Sequence, residues 1–315
     1  MAAADARAAV ELAAALEPAL PGRVELDAPL AGLTTYRVGG PAAVMVRARR
    51  EGDLAVVAAA LRLHRPPLLI VGRGSNLLVA DGGFRGLALV LEGEFEEITP
   101  GEGTVRAGGA VGLPVLARQT AAAGRAGLEF YVGIPGTVGG AVRMNAGGHG
   151  QETREVLISA RVADLLGDGL GVDRAVDDLA LGYRTSAIGP TDVVVGATFG
   201  VTADDPAACE ARIADVVRWR REHQPGGANA GSVFRNPPGD SAGGLIDRCG
   251  LKDLRVGDAV VSSKHANFIQ AEPGATAADV RALVREVQRR VLEATGVELQ
   301  PELHLVGFDD ESEGR

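Results

Sequence analysis

Apolar positions along the chain fall into short continuous runs and helical stripes. Residues 5–17 are Ala/Leu-rich and stop near Pro18 and Pro21, which predicts a short helix. Ala43-Val44-Met45-Val46 predicts a strand, Leu54, Val57 and Leu61 share one face of a helix over 53–64, and 67–71 predicts a second strand closed by Gly72. This is a β-α-β unit ending in a glycine-rich turn. Strands follow at 87–91 and 105–107, a helix at 113–123 ending at Gly124, and strands at 156–162 and 193–199. Beyond a boundary at 202–206, a helix over 207–222 turns Ile213, Val216 and Val217 inward. A second long helix over 277–294 carries Val280, Leu283, Val284, Val287, Val291 and Leu292 at helical spacing, with Thr276 and Asp279 as its cap and Gly296 as its stop. Finally Val297, Leu299, Leu303 and Leu305 alternate with Glu298, Gln300, Glu302 and His304, which puts Glu302 on the polar side of an extended segment.

Helices and strands are mixed, so the chain is α+β, and 315 residues exceed what one core ordinarily holds. Glycine is the compositional outlier, 44 residues or about twice the ~7% background. Eight fall between Gly127 and Gly150, where we expect a long ordered loop rather than a regular element. The loop interleaves Ile, Val and Met, unlike a linker, so its backbone is expected to lie against a flat or elongated ligand, the competing reading being a tight interdomain seam.

Charge and cysteine content remove several classes. With 32 basic and 41 acidic side chains the net charge is −9, so no global basic footprint for nucleic acid exists. Cys209 and Cys249 make neither a disulfide framework nor a metal pair, and the five histidines have no partner at ligand spacing, so no metal is expected. The first residues lack a basic segment followed by an apolar one, and no run of 18 apolar residues occurs, so neither a signal peptide nor a membrane span is expected. A reducing cytoplasm fits this cysteine usage.

Five segments carry candidate chemistry. After the strand at 67–71, Gly72-Arg73-Gly74-Ser75-Asn76 is neither a Rossmann fingerprint nor a P-loop; it is either an anion nest for a pyrophosphate or a plain turn. The run from Gly133-Ile134-Pro135-Gly136-Thr137 through Gly139 and Gly140 to Asn145-Ala146 has Arg143 as its sole charge. Tyr183-Arg184 offers a guanidinium fork suited to a carboxylate. Ser232 precedes Arg235 and Asn236 and lacks the Gly-x-Ser-x-Gly elbow, so it suits proton donation better than attack. Glu302 is the fifth. Read singly, each is also compatible with an ordinary structural role.

In order, these segments resemble the UDP-N-acetylenolpyruvoylglucosamine reductase (MurB) family. The matching pieces are 34–42, 72–78, 127–150, 182–186, 229–237, 244–252, 263–269 and 301–303, and they cover nearly the whole chain. The resemblance implies a helical lead-in (1–30), a two-part FAD-binding domain of the vanillyl-alcohol-oxidase (PCMH) type (31–201), a substrate-binding domain (202–307) and an acidic tail (308–315). It implies that NADPH reduces FAD, which passes hydride to UDP-N-acetylglucosamine enolpyruvate, giving UDP-N-acetylmuramate for peptidoglycan. Arg184, Ser232 and Glu302 match the catalytic positions; Gly72 to Asn76, Gly133 to Thr137, Gly139, Gly140, Asn145 and Ala146 are expected at the cofactor. The paired glycines 39–40, 82–83 and 108–109 are expected to mark backbone against FAD too. Tyr183, His223, Arg235, Asn236 and Asn267 are expected at the substrate, and a monomer is expected.

Only 47 residues separate Arg184 from Ser232, so the chain resembles the shorter, type II form without a Tyr-bearing insertion. His223 stands where the resemblance suggests Lys, and a histidine holds phosphate only when protonated. Two alternatives remain: an oxygen-using sugar or alcohol oxidase on the same fold, and a non-catalytic flavin or nucleotide-sugar binder.

Overall fold

The computed structural model describes residues 3–308, so all but the first residue of the acidic tail at 308–315 lies outside the described residues. Two compact units emerge: one of residues 1–28, 43–73 and 85–220, the other of 29–42, 74–84 and 221–315. This differs from the division read along the sequence at 30, 201 and 307. Two short excursions, 29–42 and 74–84, belong with the C-terminal residues, and the helix after residue 202 belongs mainly with the first unit.

In the first unit, α1 (Ala3–Leu16) and α2 (Glu51–His64) cover a sheet ordered Val24–Pro29, Pro41–Ala48, Phe84–Leu91, Leu68–Val71. The two strands of the expected β-α-β unit are therefore not neighbours; Phe84–Leu91 lies between them and pairs in parallel with Leu68–Val71. The core beneath holds Leu12, Leu16, Val44, Val46, Leu54, Val57, Leu87 and Leu89.

A second sheet in the same unit is ordered Gly171–Ala175, Leu157–Asp164, Asp192–Gly200, Thr104–Gly108, Ile98–Pro100, with antiparallel neighbours throughout. α3 (Leu113–Ala122), α4 (Val138–Met144), the single-turn α5 (Thr153–Val156) and α6 (Pro206–His223) accompany it. Val193 and Val195 of the strand Asp192–Gly200 enter the first core, while Val194, Ala197 and Phe199 enter the second with Leu116, Tyr131, Val142 and Ile213. Side chains alternate across a strand, and an irregularity at Val195, where Arg161 and Val162 pair with Gly196 and Val194, shifts the alternation so that Ala197 and Phe199 join Val194. One strand buried on both faces thus ties the two cores of this unit together.

The second unit packs α7 (Ala242–Arg248) and α8 (Ala277–Thr295) on a small sheet of Ala228–Asn229, Ile269–Ala271, Ala259–Val261 and Arg255–Val256. The apolar stripe of α8 predicted from spacing is buried at Val280, Leu283, Val284, Val287 and Val291, whereas Leu292 is exposed. Its N-terminus carries the expected capping box between Thr276 and Asp279, and Gly296 closes it at φ 73°. Asp81 accepts from the N–H groups of Ala277 and Ala278, tying the excursion 74–84 to this helix. A parallel pairing of Leu77–Val79 with His304–Val306 completes the unit.

Two expectations need correction. The segment 127–150 is not a loop throughout: it holds a 3₁₀ turn at Glu129–Gly133, the helix α4, and a hairpin pairing Gly147 with Glu152. Gly139 and Gly140 sit in the first turn of α4, where Thr137 caps the helix by accepting from the Gly140 N–H. The second concerns the glycine pairs, where at most positions backbone already fills the place a side chain would take. A Cβ at Gly39 would strike the Val79 backbone, at Gly108 that of Phe95, at Gly109 the Val194 carbonyl, and at Gly139 the carbonyls of Val194 and Gly109 at 3.1 and 3.2 Å. Much of the surplus serves chain packed directly on chain.

Candidate active site

Arg184 lies in a tight turn of the first unit. Gly182 and Thr185 exchange backbone hydrogen bonds of 3.1 and 3.3 Å, and Arg184, third in the turn, takes φ 55°, where Gly or Asn is usual. Its guanidinium reaches back to the end of α4, with Nη1 donating to the Asn145 carbonyl (3.4 Å) and Nη2 to that of Gly147 (3.3 Å). Carbonyls at a helix C-terminus have no partner within the helix, and a cation suits that negative end. Ser186 Oγ donates to the Arg143 carbonyl (2.7 Å), and Arg143 Nη1 donates to that of Gly189 (2.8 Å). The glycine-rich segment thus docks the Arg184 loop. Tyr183 is 49% exposed, and the Arg184 guanidinium lies 5.1 Å from its ring centroid.

Asn145, expected at the cofactor, is fully buried. Its Nδ2 donates to Glu152 Oε2 and to the Gly182 carbonyl, both at 3.0 Å, and its Oδ1 accepts from the Arg154 N–H at 3.0 Å. Ala146 is similarly engaged, its carbonyl accepting from Thr153 Oγ1 and Thr153 N–H at 2.9 Å each.

The expected cofactor residues of this unit lie around the end of Leu68–Val71. Gly72 and Arg73 are exposed, and a Cβ at Gly72 would come 2.7 Å from Thr137 Oγ1. Gly112, paired with Thr137 across an isolated bridge, faces Arg73, whose Nη1 would be 3.2 Å from a Cβ there. Pro135 and Gly140 are exposed, while Gly136 is buried at φ 141° and Gly133 and Ile134 are half-buried. The first N–H groups of α4 are committed: Val138 donates to Val111 and Gly139 to Gly109, both at 2.9 Å, and Gly140 to Thr137. These residues fit an extended ligand laid along a surface bare of side chains at Gly72 and Gly140 and flanked by the exposed ring of Pro135, with Arg73 as its charge. They do not offer a helix N-terminus to a phosphate.

In the second unit Ser232 is exposed between Gly231 (φ 75°) and the buried Val233 and Phe234. Val233 O accepts from the Glu302 N–H at 2.7 Å, Phe234 bridges Pro301, and the Arg235 N–H donates to Gln300 O at 2.9 Å. Two extended segments therefore run side by side, one carrying Ser232 and the other Glu302. Asn76 steadies the second, its Nδ2 donating to the Glu302 carbonyl at 2.9 Å and its own carbonyl accepting from the His304 N–H at 2.9 Å. Asn267 steadies the first: Nδ2 donates to Phe234 O (2.8 Å), and Oδ1 accepts from Phe234 N–H (2.9 Å). The structure uses both amides to hold backbone. Nearby, Gly74 is buried and Ser75 half-buried.

Arg235 is half-buried, and among the described residues its Nε is buried without a hydrogen-bond partner, which leaves a donor of the kind an anionic ligand takes. Asn236 is exposed, with Oδ1 accepting from Ala242 N–H at 3.0 Å, and His223 is exposed at the end of α6. Cys209 is buried, and burial followed by the Glu129 charge pushes its thiol up, so it is no nucleophile. Among the described residues no group of three or more His, Cys, Asp or Glu side chains is placed to hold a metal ion.

Sequence reasoning missed Glu152. The signal was available: His149-Gly150 is a two-residue turn with φ 56° and 82°, and X-Gly between short extended pieces is a hairpin mark that places Glu152 opposite Gly147.

The family described as FAD binding domain matches residues 42–172, and that described as UDP-N-acetylenolpyruvoylglucosamine reductase, C-terminal domain, matches 223–306. Together with the mixed α+β architecture, these define an FAD-dependent oxidoreductase. Among curated proteins, the UDP-N-acetylenolpyruvoylglucosamine reductase of Nitrobacter hamburgensis is 44% identical over 93% of this chain and 95% of its own length. That of Paramagnetospirillum magneticum is 43% identical over 92% and 94%. The crystal structure of UDP-N-acetylenolpyruvylglucosamine reductase (MurB) from Thermus caldophilus superposes with a TM-score of 0.78 at 37% identity, covering 90% of this chain and 99% of that one. The chain belongs to the UDP-N-acetylenolpyruvoylglucosamine reductase family. Among the described residues no helix is long and apolar enough to cross a membrane.

Proposed function

We propose that the chain reduces UDP-N-acetylglucosamine enolpyruvate to UDP-N-acetylmuramate with NADPH, and that Arg184, Ser232 and Glu302 act on the substrate. The observation that carries the assignment of residues is the exposed hydroxyl of Ser232 on a segment whose next residue bonds the backbone of Glu302. Bound FAD supplies hydride transfer between NADPH and the methylene carbon of the enolpyruvyl group, and Gly72, Arg73 and the 133–140 surface would hold it. Addition of hydride there builds enolate charge on the substrate carboxylate. Arg184, with its planar fork, and Glu302, as a hydrogen-bonding carboxyl, stabilise that charge; fixed groups of this kind contribute about 10²- to 10³-fold each. Ser232 then gives its proton to the adjacent carbon, which restores the carboxylate and completes the CH–CH₃ unit. A hydroxyl is a weak acid, so only a base as strong as the enolate can draw this proton. Arg235, through its buried Nε, serves the substrate's anionic groups together with Tyr183, Asn236 and His223.

The setting we propose is a monomer in the cytoplasm, where NADPH and nucleotide sugars occur together. The reading is tested by following anaerobic NADPH oxidation with and without UDP-N-acetylglucosamine enolpyruvate. Acceleration by that compound with formation of UDP-N-acetylmuramate supports it, and equal rates overturn it.

A further inference from the structure

One buried amide underlies the Arg184 turn. Asn145 caps α4 in the left-handed region (φ 41°) and is fully buried. Its Nδ2 faces two acceptors, Gly182 O and Glu152 Oε2, and its Oδ1 faces one donor, the Arg154 N–H, each at 3.0 Å, so the amide fits in one orientation. Gly182 opens the turn in which Arg184 sits, and the Asn145 carbonyl takes a hydrogen bond from Arg184 itself. Glu152 is held in turn, with Arg154 Nε 3.1 Å from its Oε2 and its backbone N–H donating to Glu155 Oε1 at 3.2 Å. Between the two lies Gly147: a Cβ there would be 2.8 Å from Glu152 Cγ and 3.4 Å from Arg184 Nη1. Carboxylate and guanidinium thus flank one glycine.

We propose that Asn145 and Glu152 are positioning residues for Arg184, fixing the place and direction at which its guanidinium meets the substrate carboxylate. The inference rests on the reading of Arg184 given above. A left-handed non-glycine residue is strained and persists only when its surroundings over-determine it, and Asn145 with Glu152 supplies that constraint. The Asn145 side chain is thereby spent on the protein itself and does not meet the cofactor. A displacement of about 1 Å of a charge-stabilising group slows the chemical step by about 10²-fold.

The test uses FAD-loaded protein in anaerobic stopped flow, with calorimetric binding of UDP-N-acetylglucosamine enolpyruvate to the oxidised form and a thermal melt as independent readouts. Asn145→Asp is isosteric but sets oxygen against Glu152 and Gly182 O; substrate-dependent flavin reoxidation is expected to slow by about 10²-fold, far more than flavin reduction by NADPH. Glu152→Gln keeps an acceptor oxygen and is expected to cost roughly 10-fold or less. The double variant Asn145→Asp with Glu152→Gln restores a donor–acceptor pair and is expected to recover part of the loss. On an Arg184→Ala background, Asn145→Asp is expected to add less than about 2-fold, because residues acting as one unit are not additive. Full additivity there, or equal slowing of both half-reactions with weakened melting, overturns the proposal. If Arg184→Ala alone leaves reoxidation intact, the reading of Arg184 fails first and takes the proposal with it. If Arg184→Ala is slow while Asn145→Asp and Glu152→Gln are normal, only the positioning role is lost.

Discussion

Arg184 and Asn145 hold each other through backbone and side chain at once: the Arg184 guanidinium donates to the Asn145 carbonyl, and the Asn145 amide binds Gly182 two residues before Arg184. A long flexible cation is thereby set on a fixed base, which is what charge stabilisation in a transition state requires.

Replacing Ser232 with Ala removes the hydroxyl from an exposed position and disturbs no packing, since Val233 and Phe234 supply the buried contacts. Turnover should fall by at least about 10²-fold, the lower range for loss of a positioned proton donor. Rapid mixing should show the loss in the oxidative half-reaction. An equal loss in flavin reduction by NADPH would mean that the residue is structural.

Gly72 tests the cofactor surface. A side chain at this position meets Thr137 Oγ1 at 2.7 Å and projects from an exposed turn. Gly72→Val should weaken FAD binding by about 10-fold or more, equivalent to 1.4 kcal/mol, measured by titrating FAD into the apoprotein. Unchanged affinity would remove this turn from the cofactor site.

Acid stability should depend on Asp53, buried at the start of α2 and paired with Arg23. Burial pushes its carboxyl up, but the Arg49 N–H and the Arg23 and Arg50 guanidinia outweigh this and hold it below its usual value. With the folded value under the unfolded one, its contribution is complete above pH ~4 and is lost as pH falls through the folded value. Urea unfolding from pH 7 to 3 should therefore show a steeper acid limb in the parent than in Asp53→Asn. At pH 7 that variant should be less stable by about 2 kcal/mol, because the part-buried Arg23 loses its carboxylate partner.

The capping box of α8 gives a stability test away from the chemistry. Thr276 Oγ1 accepts from the Asp279 N–H at 3.1 Å and Asp279 Oδ2 from the Thr276 N–H at 3.0 Å. Thr276→Ala should cost about 1 kcal/mol in chemical denaturation with activity retained.

The long periodic elements were legible in the sequence because burial alone writes them: α2, α6 and α8 fall within a few residues of their predicted ranges. The fold class was legible for the same reason, and the motif order carried the family. What pattern could not show was partnership at a distance. Nothing in Asp81 announces that it caps a helix at Ala277, nor in Asn76 that it holds the Glu302 carbonyl, because such pairs are fixed by tertiary approach. Counting glycines misled for a related reason. Composition registers that a side chain is excluded at Gly109 or Gly139 but not whether a ligand or another strand excludes it, and here it is backbone. α4 was hidden because its two glycines sit in the first turn, where a threonine cap and the Val194 strand hold the helix despite poor propensity.

The central claim is that electrons taken from NADPH leave through an enolpyruvyl nucleotide sugar. Protein reduced with one equivalent of NADPH under strict anaerobiosis, then mixed with UDP-N-acetylglucosamine enolpyruvate, gives the most direct measurement. The account predicts recovery of oxidised-flavin absorbance with one UDP-N-acetylmuramate formed per flavin. A flavin that stays reduced until oxygen is admitted would contradict it and indicate an oxidase.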